Sequence, residues 1–269
     1  MNRHRMVAAA LAAGAIAIAL PSSAAARSTI TMSGSTSVAP LAAKLARGYL
    51  QAFPGSTTFR LAQGGSDIGV ADVARGRVSI GNSSRDPKPT DPGGLVFNKI
   101  ARDAICIATN SSNHVSNISQ DTVQAIFSGQ VRDWSEVPGA TANGTIDVVV
   151  RTAASGTQDA FQKIFMGSTK VTSSAAQKAS NGLVAQVIYN DPNAVGYVSL
   201  AFTKGLNDAQ YKGVACNLRN AKAGQYEGTR NFWMVTRGAP SGPVRKFIRW
   251  IQGAAAATRI IATGWVPLR

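Results

Sequence analysis

Short β-branched runs that end in a Ser, Thr or Gly turn and lead directly into a helical pattern recur along this 269-residue chain, and this alternation constrains its fold most. The pattern is sharpest at Arg151-Thr152-Ala153-Ala154-Ser155-Gly156-Thr157, which lies between a strand-like run at 146–150 and a helix-like run at 158–165. A helix start leaves up to four backbone N–H groups without partners and carries about half a positive charge, so anions are stabilised there. Ser155 can cap or donate, Gly156 lets a ligand approach the backbone, and Arg151 adds a planar fork of donors suited to an oxyanion. These seven residues are equally compatible with a capped helix beside an unrelated surface arginine.

The same grammar repeats upstream. A strand at 28–32 ends in Ser33-Gly34-Ser35-Thr36-Ser37, after which Val38, Leu41, Ala42, Leu45 and Tyr49 recur at helical spacing. A strand at 58–62 leads through Gly64-Gly65-Ser66 to a short helix at 70–75, and a strand at 78–81 exits through Asn82-Ser83-Ser84-Arg85. Two apolar runs, 95–100 and 104–108, read as paired or successive strands. The polar segment 110–117 reads as a crossover between lobes. Further helices are expected from Ser119, over 183–189 and over 243–251, and further strands over 194–200 and 231–236. Strands alternating with helices imply an α/β architecture with mainly parallel sheets, in one or two domains.

The first residues stand apart. Arg3 and Arg5 precede an apolar run at 6–20 and a small-residue string ending at Ala26, the pattern of a secretory signal peptide spanning 1–26. The run falls short of the ~18 apolar residues that a membrane span needs. No cysteine near that point offers a lipid anchor, so the expectation is a soluble, periplasmic or secreted protein. Removing residues 1–26 takes away two arginines and no acid, which lowers the formal charge from +15 to +13. Such a surplus favours anionic partners. Nucleic acid is not expected among them, because the basic residues are scattered, the densest cluster at 245–249 is one face of a short helix, and no nucleic-acid-binding motif is present. Cys106 and Cys216 are as compatible with buried thiols as with a disulfide. No metal site and no cofactor are expected: neither cysteine has metal-ligand spacing, and His114 is the single histidine after residue 26.

In open α/β sheets ligands bind beyond the carboxyl ends of the strands. Four strand-exit turns therefore outline one candidate pocket: Ser35, Thr36 and Ser37; Ser66; Ser84 and Arg85; and Arg151 with Ser155, Gly156 and Thr157. An unpaired oxyanion leaving water costs tens of kcal/mol, and these hydroxyls, helix-start amides and guanidinium groups can meet that demand.

These residues resemble the phosphate-binding proteins of bacterial phosphate ABC transporters, the PstS type. Gly34-Ser35-Thr36-Ser37-Val38-Ala39-Pro40 is similar to the first phosphate loop of that family, Gly65-Ser66 with Gly69-Val70 to its second, 80–85 to its third, and Arg151 with Ser155-Gly156-Thr157 to its fourth. Phe127-Ser128-Gly129 with Trp134, and 264–268, are similar to its signatures outside the site. The resemblance implies a two-lobed type II periplasmic-binding fold that encloses phosphate between lobes formed by 27–109 with 227–269 and by 110–226, crossing near Asn110 and Tyr226. It also implies a monomer delivering inorganic phosphate to a membrane permease without chemistry. Thr36 and Ser66 would donate from side chain and backbone, Ser37 from its N–H, and Arg151 would be the charge partner. Some members carry an Asp where Ser84 stands and an acid two residues after the arginine, where Ala153 stands; Asp67, Asp72 and Asp86 are candidate substitutes for the latter, although each reads first as a solvated turn or helix residue.

Three alternatives stay open: another oxyanion such as sulfate or molybdate, a sensor or surface protein, and a phosphatase or serine hydrolase. The last needs a base or a metal. No Gly-x-Ser-x-Gly elbow, Ser-x-x-Lys near the turns or His/Asp metal cluster is present, so no catalytic residues are assigned.

Overall fold

The computed structural model describes residues 27–268; the expected signal peptide lies outside them. β1 (Ser28–Gly34) leads into α1 (Ala39–Ala52), and β2 (Thr57–Leu61) into α2 (Ser66–Ala74). α1 buries Leu41, Ala42, Leu45 and Tyr49, one stripe at helical spacing. Pro40 sits in its first turn, where a missing N–H costs no helix bond. β3 (Ile80–Ser83) lies beside β1, which pairs with β2 on its other side, and both pairings are parallel.

β4 (Leu95–Asn110) is a single strand of 16 residues, where two shorter ones were expected. Arg102 and Asp103 interrupt its apolar pattern but remain extended, because the opposite strand meets their polar groups. Beyond it follow β5 (Asn117–Ile118), α3 (Gln120–Ser128), β6 (Asp147–Arg151), α4 (Gly156–Phe161), β7 (Ala176–Lys178), α5 (Asn181–Asn190) and β8 (Ala194–Ser199). The chain continues through β9 (Leu206–Asp208), β10 (Gln210–Tyr211), α6 (Leu218–Lys222), β11 (Thr229–Arg237), α7 (Gly242–Gly253) and α8 (Ala255–Ala262).

The strands run in the order β2-β1-β3-β11-β4-β8-β6-β7, with β9 on β4. The flanks are parallel, as the alternation predicts, but β11 and β4 at the centre pair antiparallel with each other and with their outer neighbours. The sheet is thus mixed. β4 carries the chain from one half to the other: it pairs with β11 through Ala104 and with β8 from Ile105. The changeover precedes residue 110. Asn110 instead binds the end of α5, donating from Nδ2 to the carbonyls of Ile188 and Tyr189, both at 2.8 Å.

Two apolar cores flank this changeover. Ile30, Leu41, Ile80, Phe232 and Phe247 build one around β1, β3 and β11, to which β4 adds Ile100 and Ala101. Phe127, Trp134, Phe161 and Tyr197 build the other, to which β4 adds Ile105 and Ile107. Cys106 and Cys216 are disulfide-bonded, with Cα atoms 5.5 Å apart, and so staple α6's approach to β4. The helix expected over 158–165 begins as α4 and widens into a π-helical turn at Gln162–Met166. The basic side chains at 245, 246 and 249 are exposed on α7, as expected for one solvated face. No helix among the described residues is long and apolar enough to cross a membrane.

Candidate anion-binding site

The strand-exit turns meet where the two halves face each other. In the turn that precedes α1, the Ser35 carbonyl accepts from Ala39 N at 3.1 Å, and its Oγ accepts from the amides of Ser37 and Val38 at 3.2 and 3.3 Å. Its own proton goes to Ser84 Oγ, 2.8 Å away. Ser66 opens α2, and its Oγ accepts from Ser84 N at 3.0 Å and lies 3.3 Å from Ser84 Oγ. Ser35, Ser37, Ser66 and Ser84 are all buried.

The opposite wall comes from β6, α4 and α5. Ser155 caps α4, accepting from the amides of Thr157 and Gln158 at 3.1 and 3.3 Å. Its hydroxyl proton therefore points away from the helix start. Thr157 Oγ1 lies 3.0 Å from Ser37 Oγ across the cleft. At Gly156 the halves leave no room for a side chain: a Cβ there would overlap Ser66 Oγ and lie 2.8 Å from Ser84 Oγ and 2.9 Å from Arg85 N. The first N–H groups of α2 and α4, on Ser66 and Gly156, have no acceptor within their own helices.

Arg151 ends β6 and is only 2% exposed. Its guanidinium donates to the carbonyls of Lys178 and Ala179 at 3.2 and 2.8 Å, and from Nη1 to Thr157 Oγ1 at 3.4 Å. Among the described residues it forms no ion pair. The acids weighed as substitutes for its missing partner are engaged elsewhere: Asp67 with Arg85, Asp72 with Ser33 and Arg77, and Asp86 with Asn231 and Trp233. Backbone carbonyls orient the fork in their place. Burial, and then the charge of Arg230, lower the Arg151 pKa to about 10, with Tyr197 opposing. The group stays charged at neutral pH and has no counter-ion among the described residues.

Sequence reasoning missed three residues. Arg230, at the start of β11, donates from Nη2 to Ser37 Oγ at 2.8 Å and from Nη1 to Ser84 Oγ at 3.4 Å. Asp103, on β4, binds Arg230 at 2.9 Å through Oδ2 and accepts from Ser199 Oγ at 2.9 Å through Oδ1. Asn181, at the start of α5, donates from Nδ2 to Thr36 Oγ1 at 3.0 Å and to Ser37 Oγ at 2.8 Å. Signals for two of them were present. Arg230 shares a strand face with Phe232 and Met234, an unusual place for a cation, and Asn181 follows a strand and a Ser turn like those already singled out.

Arg85 is the correction. Its side chain turns out of the cleft, donating from Nε to Asp67 Oδ1 at 2.6 Å and from Nη2 to Asp91 Oδ1 at 2.6 Å. The carboxylates of Asp67 on α2 and Asp91 in the loop after β3 outcompete a site that already holds two guanidinium groups, so only the Arg85 backbone N–H faces Gly156. The remaining candidates, Ser35, Thr36, Ser37, Ser66, Ser84, Arg151, Ser155, Gly156 and Thr157, are joined in one hydrogen-bonded cluster or packed against it. Such an arrangement suits a small tetrahedral oxyanion. It is poorly equipped for nucleophilic chemistry: both oxygens of Asp103 are committed, and His114 is exposed in the loop after β4. Among the described residues no group of three or more His, Cys, Asp or Glu could hold a metal ion.

Two α/β halves around a cluster of donors, joined by strands that pass between them, define a binding protein of the two-lobed type II class. Residues 20–255 match the family model described as PBP superfamily domain, and the chain belongs to that superfamily. It is 26% identical over 246 residues to the phosphate-binding protein PstS of Bacillus subtilis, covering 89% of this chain and 81% of that one. A putative phosphate ABC transporter substrate-binding protein from Clostridium perfringens, solved with bound phosphate, superposes with a TM-score of 0.83 at 27% identity, covering 90% of this chain and all of that one. An ABC-type phosphate transport receptor from Vibrio cholerae gives a TM-score of 0.71 at 27% identity, covering 88% of this chain and 99% of the other.

Proposed function

We propose that this protein captures inorganic phosphate between its two halves and delivers it to the membrane permease of an ABC transporter. One observation carries the reading: Arg151 is buried and charged, and no carboxylate among the described residues neutralises it. Arg230 shares Asp103, so the cluster of two guanidinium groups and one carboxylate keeps one positive charge for a ligand. Hydroxyls of Thr36, Ser37, Ser66, Ser84, Ser155 and Thr157 and the amides of Ser66 and Gly156 complete the donors that a tetrahedral anion needs when it leaves water. The phosphate-binding names of the relatives support this ligand.

The protein acts as an exported monomer and performs no hydrolysis. Its affinity is micromolar or tighter, roughly −8 kcal/mol or better. A second reading, capture of sulfate or another fully ionised oxyanion, is favoured by Ser84, because a hydroxyl accepts the proton of monohydrogen phosphate but does not repel a ligand that lacks one. Titration calorimetry with phosphate, then with phosphate against a sulfate background, decides between them. Phosphate binding that survives excess sulfate upholds the first reading, and displacement by equimolar sulfate replaces it with the second.

A further inference from the structure

Arg85 has a role that the anion site does not use. It is buried, 3% exposed, and ties together two acids, Asp67 on α2 and Asp91 in the loop after β3. Asp91 also accepts from Lys88 N at 2.8 Å, and Arg85 Nη1 donates to the carbonyl of Asp86 at 3.0 Å, so the segment 86–91 is folded around this guanidinium. The segment presents Lys88 across the cleft. Lys88 Nζ lies 2.9 Å from Asp159 Oδ1 on α4, and both side chains are mostly shielded from solvent. Of the ion pairs among the described residues, this one joins the first lobe's loop to the second lobe's helix. Beside it, Asp67 N donates to the carbonyl of Ala154 at 3.1 Å.

We propose that Lys88 and Asp159 form a latch that holds the two lobes together over the captured anion, with Arg85, Asp67 and Asp91 as the rigid base that positions Lys88. The proposal rests on capture between the lobes. Neither latch side chain hydrogen-bonds the donor cluster, so the latch sets how long the anion stays rather than which anion enters. Asp159 ends its reach at Lys88 from the same helix that begins at Gly156 and Thr157, so a pull on the pair is transmitted directly to the donors at the helix start. Asp159 also meets the exposed Lys163 at 3.1 Å, an i,i+4 pair within its own lobe that joins nothing across the cleft.

The test is stopped-flow release of phosphate from the full chain and from Lys88→Met, Asp159→Asn, the double variant and Lys163→Met. Each latch variant releases phosphate about two- to fivefold faster, the range of a partly shielded ion pair. The double variant is no faster than either single one, and Lys163→Met matches the parent. Unchanged release in both latch variants, or additive effects in the double, overturns the latch. A second measurement does not need phosphate: spin labels on Cys introduced at Ser56 and Ser168, one on each lobe, report lobe separation. The separation widens in Asp159→Asn if the latch holds, and an unchanged distribution overturns it even if the parent fails to bind phosphate.

Discussion

Arg230 and Asp103 face each other directly across the β11–β4 register, and the guanidinium binds the carboxylate at 2.9 and 3.2 Å in a fully buried setting. The pair sits where β4 passes from one core to the other. It anchors the donor cluster to the strands that connect the lobes, since the same guanidinium reaches Ser37 and Ser84. Removing one partner leaves the other charge buried and alone. Arg230→Met is expected to cost about 3–5 kcal/mol in stability, and adding Asp103→Asn should restore most of that without restoring anion binding. Urea unfolding of the single and double variants, paired with phosphate titration, checks both halves of this expectation.

Arg151 pairs with no acid among the described residues and is the charge partner in the proposed site. Arg151→Ala should fold normally and lose about 2 kcal/mol or more of phosphate affinity, the effect of deleting a charged hydrogen-bond partner. In the proposed site the anion binds the protonated guanidinium, whose pKa burial pulls down to about 10. Affinity is therefore full at neutral pH and declines as pH rises through that value, while bound anion shifts the decline upward. Calorimetry from pH 7 to 11 on the parent measures it; normal phosphate binding by Arg151→Ala would remove Arg151 from the site.

Gly156 separates access from stability. A methyl group there meets Ser66 Oγ and Ser84 Oγ before the lobes reach their observed approach. Gly156→Ala should weaken phosphate binding at least tenfold, about 1.4 kcal/mol. Thermal stability should hold or rise slightly, because Ala is the better helix former by about 1 kcal/mol. A thermal melt and a phosphate titration on the same sample test the two opposite signs.

Asp208 predicts a pH dependence away from the site. Its Oδ1 is buried without a partner, and burial raises its pKa to about 7 against a weaker opposing bond from Thr203. The folded pKa exceeds the unfolded one, so the stability linked to protonated Asp208 is complete below about pH 4 and is lost as pH rises through 7. Asp208→Asn should therefore stabilise the protein by about 1–3 kcal/mol at pH 8 and by nothing at pH 4. Chemical denaturation at the two pH values decides it.

The donors readable in the sequence are those at strand exits and helix starts, because capping and backbone approach are local requirements written within a few residues. Ser35, Ser66, Ser155 and Gly156 each announce a turn by their own chemistry. Arg85 carried the same local signature and misled, since a guanidinium has long reach and its choice between ligand and carboxylate depends on where Asp67 and Asp91 fall in space. Ala-rich α8 and the single long β4 were also invisible or divided, the first because it begins without a side-chain cap and the second because Arg102 and Asp103 look like a break until their cross-strand partners are known.

By itself the sequence determined the α/β alternation, the strand-exit positions of the donor turns and the surplus of positive charge, all of which follow from neighbours along the chain. Tertiary structure alone decided that Cys106 bonds Cys216, that Arg230 and Asp103 share the heart of the site, that Asn181 bridges Thr36 and Ser37, and that Arg85 faces away. Each of these joins residues far apart in sequence. Their partners are set by sheet register and by the packing of two cores, which short-range propensity does not encode.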